Sequence, residues 1–582
     1  MGKRTLLAII LSIVVLVLFN WLFEKTQPPP QPSLPSPEVT SPQPTPPPEE
    51  EKPEEKPAEP LTEGLLEDTQ LRKVVVETEL FSITLTNQGG KVFSWKLKNY
   101  LDDEGQPLEL VSKRLRNMGF LPLELFIEGE EELSRKINKA LFLPNREGLI
   151  LTTRSSPQKE GKITFRYADG KGLQVEKTLT FYPRSYLAQL QIKLTPNEIL
   201  HKSYIMLGPN LGNRERVGKR GFFGSASRDI LQVAINANNK VQRVKKLSQP
   251  QQQGELEYQL FPGSIQWLGI EDNYFMATFI PADQTEQAIV LTREVPLPAQ
   301  QGRPSVLTSM MVGASLTDFT QQGQLYIGPK DYELLSELGM GLKYVIKFGF
   351  FGFIGKPMLF ALKFFYRYVH NYGVSIIILT VLIKLLFWPL TRKSYYSMRK
   401  MQEVQPKMKA IRDKYKRYKQ DPAIRQKMNQ ETMNLYRQEG VSPMGGCLPM
   451  LLQMPVLWAI YSLLMVSIEI RQAPFFGWIH DLARKDPYYI TPIVMGITML
   501  IQQRMTPTTS DPAQARMFKL MPIFFTFLFL NFPSGLVLYW LVNNILTIGQ
   551  QYTINLKEEQ KSPKTRRASR SGKRPSSQRR RK

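Results

Sequence analysis

Residues 5–23, TLLAIILSIVVLVLFNWLF, carry no charge, and five more apolar runs crowd the last third of the chain: 373–390, 447–466, 488–503, 518–532 and 535–551. In a helix rising 1.5 Å per residue, a run of this length matches the roughly 30 Å hydrocarbon core of a bilayer. Read as helices, the runs predict six membrane crossings with both chain ends on one side. The rival reading of 5–23 is a cleaved signal peptide, with a shorter apolar stretch and a small-x-small cleavage site. FEKTQPPP follows instead, which favours an uncleaved anchor over 1–23. The runs at 518–532 and 535–551 are joined only by Pro533 and Ser534, a connection that predicts an antiparallel pair.

Charge orients these crossings. Residues 391–441 carry 14 Lys/Arg against 5 Asp/Glu, and 556–582 carry 12 against 2. With Lys3 and Arg4 these pieces hold +21 of the net +25. Basic flanks stay in the cytoplasm, so both termini and the 391–441 segment are expected inside. The 467–487 loop balances its charges and is expected outside.

Between anchor and spans the chain changes character twice. Residues 24–65 are rich in Pro and Glu and read as an extended spacer that cannot bury a core. Residues 66–340 read as a large antiparallel β-sandwich outside the cytoplasm, with alternating segments such as VVVETELFSITLTNQGGKVFSWKL and a Gly89–Gly90 turn. YIGPKDYELLSELG (326–339) switches to a short helix. The single cysteine, Cys447, allows no intrachain disulfide, so the sandwich must be held by its own core. Residues 341–372 contain KPMLFALKFFYRYV, too short and too charged to span. That segment predicts an interfacial amphipathic helix, or a helix lying on the soluble domain.

Three features bear on function. Lys384 lies inside the second span, where an ammonium is costly unless it snorkels to the headgroups or faces a wet cavity. Thr380 shares its helix face. Gln453 in the third span and Asn543 and Asn544 in the sixth are further polar groups, each readable as helix–helix glue or as the lining of a hydrated interior. The 391–441 segment reads as a helical hairpin, with a heptad seam through Met401, Val404, Met408, Ile411, Tyr415 and Tyr418 and a second helix started by Asp421–Pro422. Its basic surface, with Arg412, Lys414, Lys416 and Arg417, is either a solvated exterior or a docking face for a targeting factor or for the chain being handled. The tail at 556–582 is basic, almost free of apolar residues and expected to be disordered. It serves as a topology signal or contacts anionic lipid or ribosomes by charge, with no sequence-specific nucleic-acid reading.

Catalysis has little support. The three histidines have no metal-ligand spacing. GFIGKP lacks the spacing and hydroxyl of a phosphate loop, and no nucleophile motif is present. No catalytic residue, metal or cofactor is expected.

The stretch MGGCLPMLLQMPVLWAIYSLL (444–464), its continuation through NFPSGLVLYWLVNNILTIGQQ, and GVSIIILTVLIKLLFWPLTRKSYYSMRKMQEVQPKMKAIRDKY (373–415) closely resemble the bacterial YidC membrane protein insertases. YIGPKDYELL resembles the end of that family's periplasmic domain. The resemblance is dense over 330–555 and implies a fold: a five-helix core enclosing a hydrophilic groove open to cytoplasm and lipid, beneath a periplasmic β supersandwich. It also implies an activity in the bacterial inner membrane, the insertion and folding of nascent membrane proteins, alone or beside the Sec translocon, without a nucleotide. The family's groove charge is typically arginine, and here Lys384 takes its place, keeping the charge but not the planar fork of donors. Thr380 matches a groove residue. Met454, Pro455, Tyr539 and Trp540 match the region that contacts a passing substrate helix.

Overall fold

The computed structural model describes residues 64–152, 160–196, 202–212, 231–283, 285–300, 303–317, 319–416, 421–441, 448–505 and 512–561. The expected anchor, nearly all of the linker and residues 562–582 of the tail lie outside the described residues.

The β region forms two sheets, of fifteen and five strands. In the smaller sheet Lys73–Glu77, Phe81–Thr86 and Lys91–Leu101 pair antiparallel. Val74, Val76, Phe81, Ile83, Leu85, Trp95 and Leu97 point inward and are buried, as the period-2 alternation requires. Gly89 and Gly90 turn this chain at φ +70 and +57, and a Cβ on Gly89 would stand 2.8 Å from the Asn138 carbonyl oxygen. One pairing departs from the antiparallel expectation, Lys73–Glu77 running parallel to Gly148–Ile150. Two short helices also interrupt the strands, α1 (Lys113–Asn117) and α2 (Glu131–Lys139). The larger sheet is organised around the sixteen-residue strand Leu256–Glu271. Residues 326–329, expected as helix, instead end the strand Thr320–Pro329.

Lys177 is wholly buried inside this domain. Its Nζ donates to the carbonyls of Gly89 (2.7 Å) and Leu123 (2.6 Å), and burial pushes its ammonium down to about 7.

Asp331 caps α3 (Tyr332–Glu337) by accepting from the amides of Glu333 and Leu334. A strap over 338–351 then leads to α4 (Gly352–Val369). Gly355, Met358, Leu359 and Leu362 bury one face of α4, while Phe353, Phe360, Phe364 and Tyr368 leave an opposite apolar stripe exposed. Asn371 caps the next helix, α5, which runs unbroken from Tyr372 to Lys414. The boundary expected between span and hairpin at 390–391 is therefore no break, because Pro389 and Pro406 are both carried inside one helix. The remaining helices are α6 (Pro422–Gln438), α7 (Leu448–Val466), α8 (Ile490–Met505), α9 (Pro512–Phe529) and α10 (Ser534–Lys561). α10 continues six residues into the expected tail.

Among the described residues, α5 alone is long and apolar enough to cross a membrane, and Gln453–Val466 and Lys519–Phe529 are shorter apolar helices. One cluster of buried side chains nonetheless continues from both sheets through Leu342, Val345 and Phe348 of the strap into α4, α5, α7 and α10.

Candidate functional site

Helices α5, α7, α8, α9 and α10 surround a cavity of about 680 Å³. α10 supplies Leu536, Trp540, Asn543, Asn544, Thr547, Gln550, Gln551 and Ile554, the spacing of one face of a helix. α5 supplies Lys384, Thr391, Tyr395 and Met398, α7 supplies Gln453 and Met454, and α8 supplies Gln502 and Gln503. α9 contributes only apolar groups, among them Met521, Pro522, Phe525 and Phe529. The cavity thus has amide and ammonium groups on one side and an aromatic wall on the other. From Leu536 to Ile554 the lining runs about 27 Å along α10.

Hydrogen bonds pin the polar wall. Gln550 Nε2 donates to Thr391 Oγ1 at 2.9 Å, the Tyr395 hydroxyl to Asn555 Oδ1 at 2.8 Å, and Asn544 Nδ2 to Thr498 Oγ1 at 3.3 Å. They tie α10 to α5 and α8. The expected α9–α10 pair is joined by a tight turn, but the cavity opens between the two helices. They meet through Phe525 and Phe529 against Trp540, while both pack on α8.

Of the residues singled out by sequence, Lys384, Gln453, Asn543 and Asn544 line this cavity, as do Met454 and Trp540. Lys384 is half-buried and has no carboxylate within ion-pair distance among the described residues. Thr380 is buried, its hydroxyl donating to the Ile376 carbonyl at 2.6 Å. With Tyr539 it lines a small space of about 20 Å³ that also reaches Lys384, Gln453 and Asn543. Pro455 lines neither space and sits half-buried inside α7. Thr391, Thr547 and the pairs Gln502–Gln503 and Gln550–Gln551 were missed by sequence reasoning. The paired glutamines were their signal, read there only as the ends of spans.

In the hairpin, Val404 and Met408 pack with Val441, Met401, Leu435 and Tyr436. Lys414 pairs with Glu431 at 3.0 Å and Lys407 with Glu439 at 2.5 Å. Lys414 is thus committed within the hairpin, Arg412 is half-buried and Lys416 is exposed. Arg417 and Tyr418 lie outside the described residues.

At the opposite end, the 467–487 loop closes over the helices. The Ser534 amide donates to the Arg484 carbonyl at 2.7 Å and the Gly535 amide to Leu482 at 2.9 Å. Asp486 caps α8 by accepting from the Thr491 amide (2.8 Å) and hydroxyl (2.7 Å). Burial alone would raise its carboxyl, but these donors hold it below the usual range. The β domain grips the same loop: Arg471 and Gln472 donate to the Leu101 carbonyl, and Arg484 pairs with Asp103. On α4, Lys363 is half-buried and turned toward carboxylates. Its ammonium meets Asp331 (3.6 Å), Glu333 (3.0 Å) and Glu469 (3.1 Å). Burial opposes its charge, but the three carboxylates outweigh that and raise it well above the usual lysine range.

A family profile described as a 60Kd inner membrane protein matches residues 364–561, and one described as the YidC periplasmic domain matches residues 73–361. The membrane protein insertase YidC of Syntrophus aciditrophicus (strain SB) is 37% identical over 581 residues, covering 95% of this chain and 99% of its own. That of Geotalea daltonii (strain DSM 22248 / JCM 15807 / FRC-32) is 36% identical over 557 residues, covering 95% and 99%. A solved structure of an active YidC insertase shares 16% identity and a TM-score of 0.34, covering 84% of this chain and 95% of its own.

Proposed function

This chain belongs to the YidC family of membrane protein insertases, and from that premise we propose that the cavity among α5, α7, α8, α9 and α10 is the path by which it inserts its substrates. It is an insertase and not an enzyme, its substrates are membrane proteins, and its β-rich region is the family's periplasmic domain.

One observation carries the reading: polar side chains of α10, together with Lys384, line a single cavity to which α9 contributes only apolar groups. A nascent membrane protein brings both kinds of surface. Its hydrophilic tail must leave water, which costs several kcal/mol per unpaired charge in hydrocarbon. Amide donors and acceptors on α10 replace part of that hydration, and Lys384 attracts acidic residues. The apolar segment meanwhile slides along Met454, Trp540 and the α9 aromatics toward lipid.

The crossings are 5–23 and five more by helices α5 and α7 to α10, with both termini and the hairpin cytoplasmic. The +21 concentrated in three flanking pieces supports this topology. The sixteen residues of α8 reach about 24 Å, less than an average bilayer core. Helices this short thin the bilayer around the groove and reduce the distance a tail must travel. The exposed stripe of α4 lies in the outer interface, and the two sheets form a supersandwich. The hairpin and tail meet ribosomes, targeting factors and anionic lipid, and the protein works alone or beside the Sec translocon.

The test is reconstitution of the purified protein into liposomes with a single-span substrate. Proteoliposomes should protect the translocated tail from protease, and protein-free liposomes should not. Equal protection in both would sink the groove. Cysteine labelling tests the topology separately: external labelling of Gln420→Cys in intact cells would reverse it.

A further inference from the structure

A second cavity, of about 950 Å³, lies far in sequence from the groove, between the larger sheet and the strap that leads to α4. Its walls come from the strands Gln232–Ala237, Lys240–Val244, Leu256–Glu271 and Phe275–Pro281, and from Met340, Gly341 and Tyr344 of the strap. We propose that it binds a neutral, hydroxyl-rich ligand, a short oligosaccharide.

The lining chemistry selects that class. Asn236 is 4% exposed, and its Oδ1 has no partner among the described residues. The buried Oε1 of Gln266 is also without one. Gln266 Nε2 is engaged, donating to Asn239 Oδ1 at 2.5 Å, so the amide is fixed with its oxygen left over. A buried acceptor without a donor is costly, and a bound hydroxyl would relieve that cost. Ser264 and Asp283 add further acceptors, and no lysine or arginine lines the space. An anion is therefore disfavoured. Val241, Ile265 and Ile280 give an apolar floor, and Tyr344 is 61% exposed, a ring on which the C–H face of a sugar can lie. Hydroxyls on an apolar carbon frame fit this wall. An extended peptide would bring a carbonyl with every amide, and those carbonyls find few free donors here.

The site is also held rigidly. Arg243 donates to the Val345 carbonyl at 2.8 Å and the Tyr344 carbonyl at 3.3 Å, while its Nε pairs with Glu271 at 2.8 Å. Lys330 pairs with the same buried carboxylate at 2.7 Å. The strap is clamped to the sheet beside the cavity, so little ordering is needed on binding.

The experiment uses the full chain in a detergent without a sugar headgroup, since a glycosidic detergent would compete. Maltotriose and chitotriose are the probes and trialanine the competing class, followed by saturation-transfer NMR and calorimetry. Saturable binding of a trisaccharide should weaken about tenfold or more in Asn236→Leu and in Tyr344→Ala. Tyr344 is exposed on the strap, so its variant remains informative if the buried substitution impairs folding, which a thermal melt would reveal. Trisaccharide binding unchanged in the folded variants, binding of trialanine alone, or no binding of either trisaccharide would each overturn the proposal. Insertion is not the readout, so the groove stands or falls independently.

Discussion

Replacing Lys384 tests whether the groove works by charge. The ammonium is half-buried at a cavity wall, with no carboxylate of the chain beside it among the described residues. A substrate carboxylate at roughly 5 Å, with an effective dielectric of about 20, would be attracted by about 3 kcal/mol. Lys384→Leu removes that attraction and Lys384→Glu reverses it, a swing of about 6 kcal/mol before screening. Each 1.4 kcal/mol is about tenfold in rate, so even strong hydration of the site leaves an effect of about tenfold for leucine and more for glutamate. Lys384→Arg keeps the charge and should keep activity. The assay is insertion of one substrate carrying either an acidic or a neutral translocated tail, in cells depleted of their own insertase, with variant levels matched by blotting. The acidic tail should separate the variants in the order Arg, Leu, Glu, and the neutral tail should barely separate them. Equal insertion by all three variants would refute the electrostatic reasoning and leave groove polarity to Gln453, Asn543 and Asn544.

Other outcomes follow from the buried charges. Lys177 is depressed to about 7 when folded and lies near 10.4 unfolded. Folding therefore releases a proton between these values, and stability rises with pH across that window. In thermal melts the gap between wild type and Lys177→Met should widen by about 3 kcal/mol from pH 7 to 9.5; a constant gap would mean that the lysine stays charged inside. Lys363→Met leaves Glu469 buried beside Asp331 without its cation and should cost about 3–5 kcal/mol, partly recovered by adding Glu469→Gln, as read by melting of the purified protein. Deleting 557–582 should reduce ribosome co-sedimentation at low salt, with the difference fading as salt rises; equal sedimentation at low salt would reduce the tail to a topology signal.

The parts legible in sequence were those set by local periodicity. Inward residues of the strands around Gly89, the Asp421–Pro422 start of α6 and the Val404–Met408 seam all follow from spacing within a few residues. The polar face of α10 was half legible, because Asn543 and Asn544 stand out in an apolar run whereas Gln550 and Gln551 resemble a span's end. The continuity of α5 was hidden because the charge change at Arg392 and the ring of Pro389 both look like boundaries, yet the helix needs only one missing backbone donor at each proline to be tolerated. The partners of Lys363 come from residues 331, 333 and 469, and no local pattern joins them. The same holds for the second cavity, assembled from strands and a strap about a hundred residues apart.

The unbroken helix from Tyr372 to Lys414 makes the hairpin a mechanical arm of the groove. Pro389 removes one rung of its hydrogen-bond ladder, yet the helix runs on through it, and a rod that stays stiff there would turn as one piece about that level. The tip at Lys414 stands about 37 Å from that level, and Lys384 about 7 Å on the other side. A sideways push of about 5 Å at the tip would then turn the rod by about 8° and carry the groove wall at Lys384 by about 1 Å. Gearing of this kind reduces displacement and multiplies force. A weak, bulky load on the hairpin end would become a small, firm movement of the cavity wall at Lys384.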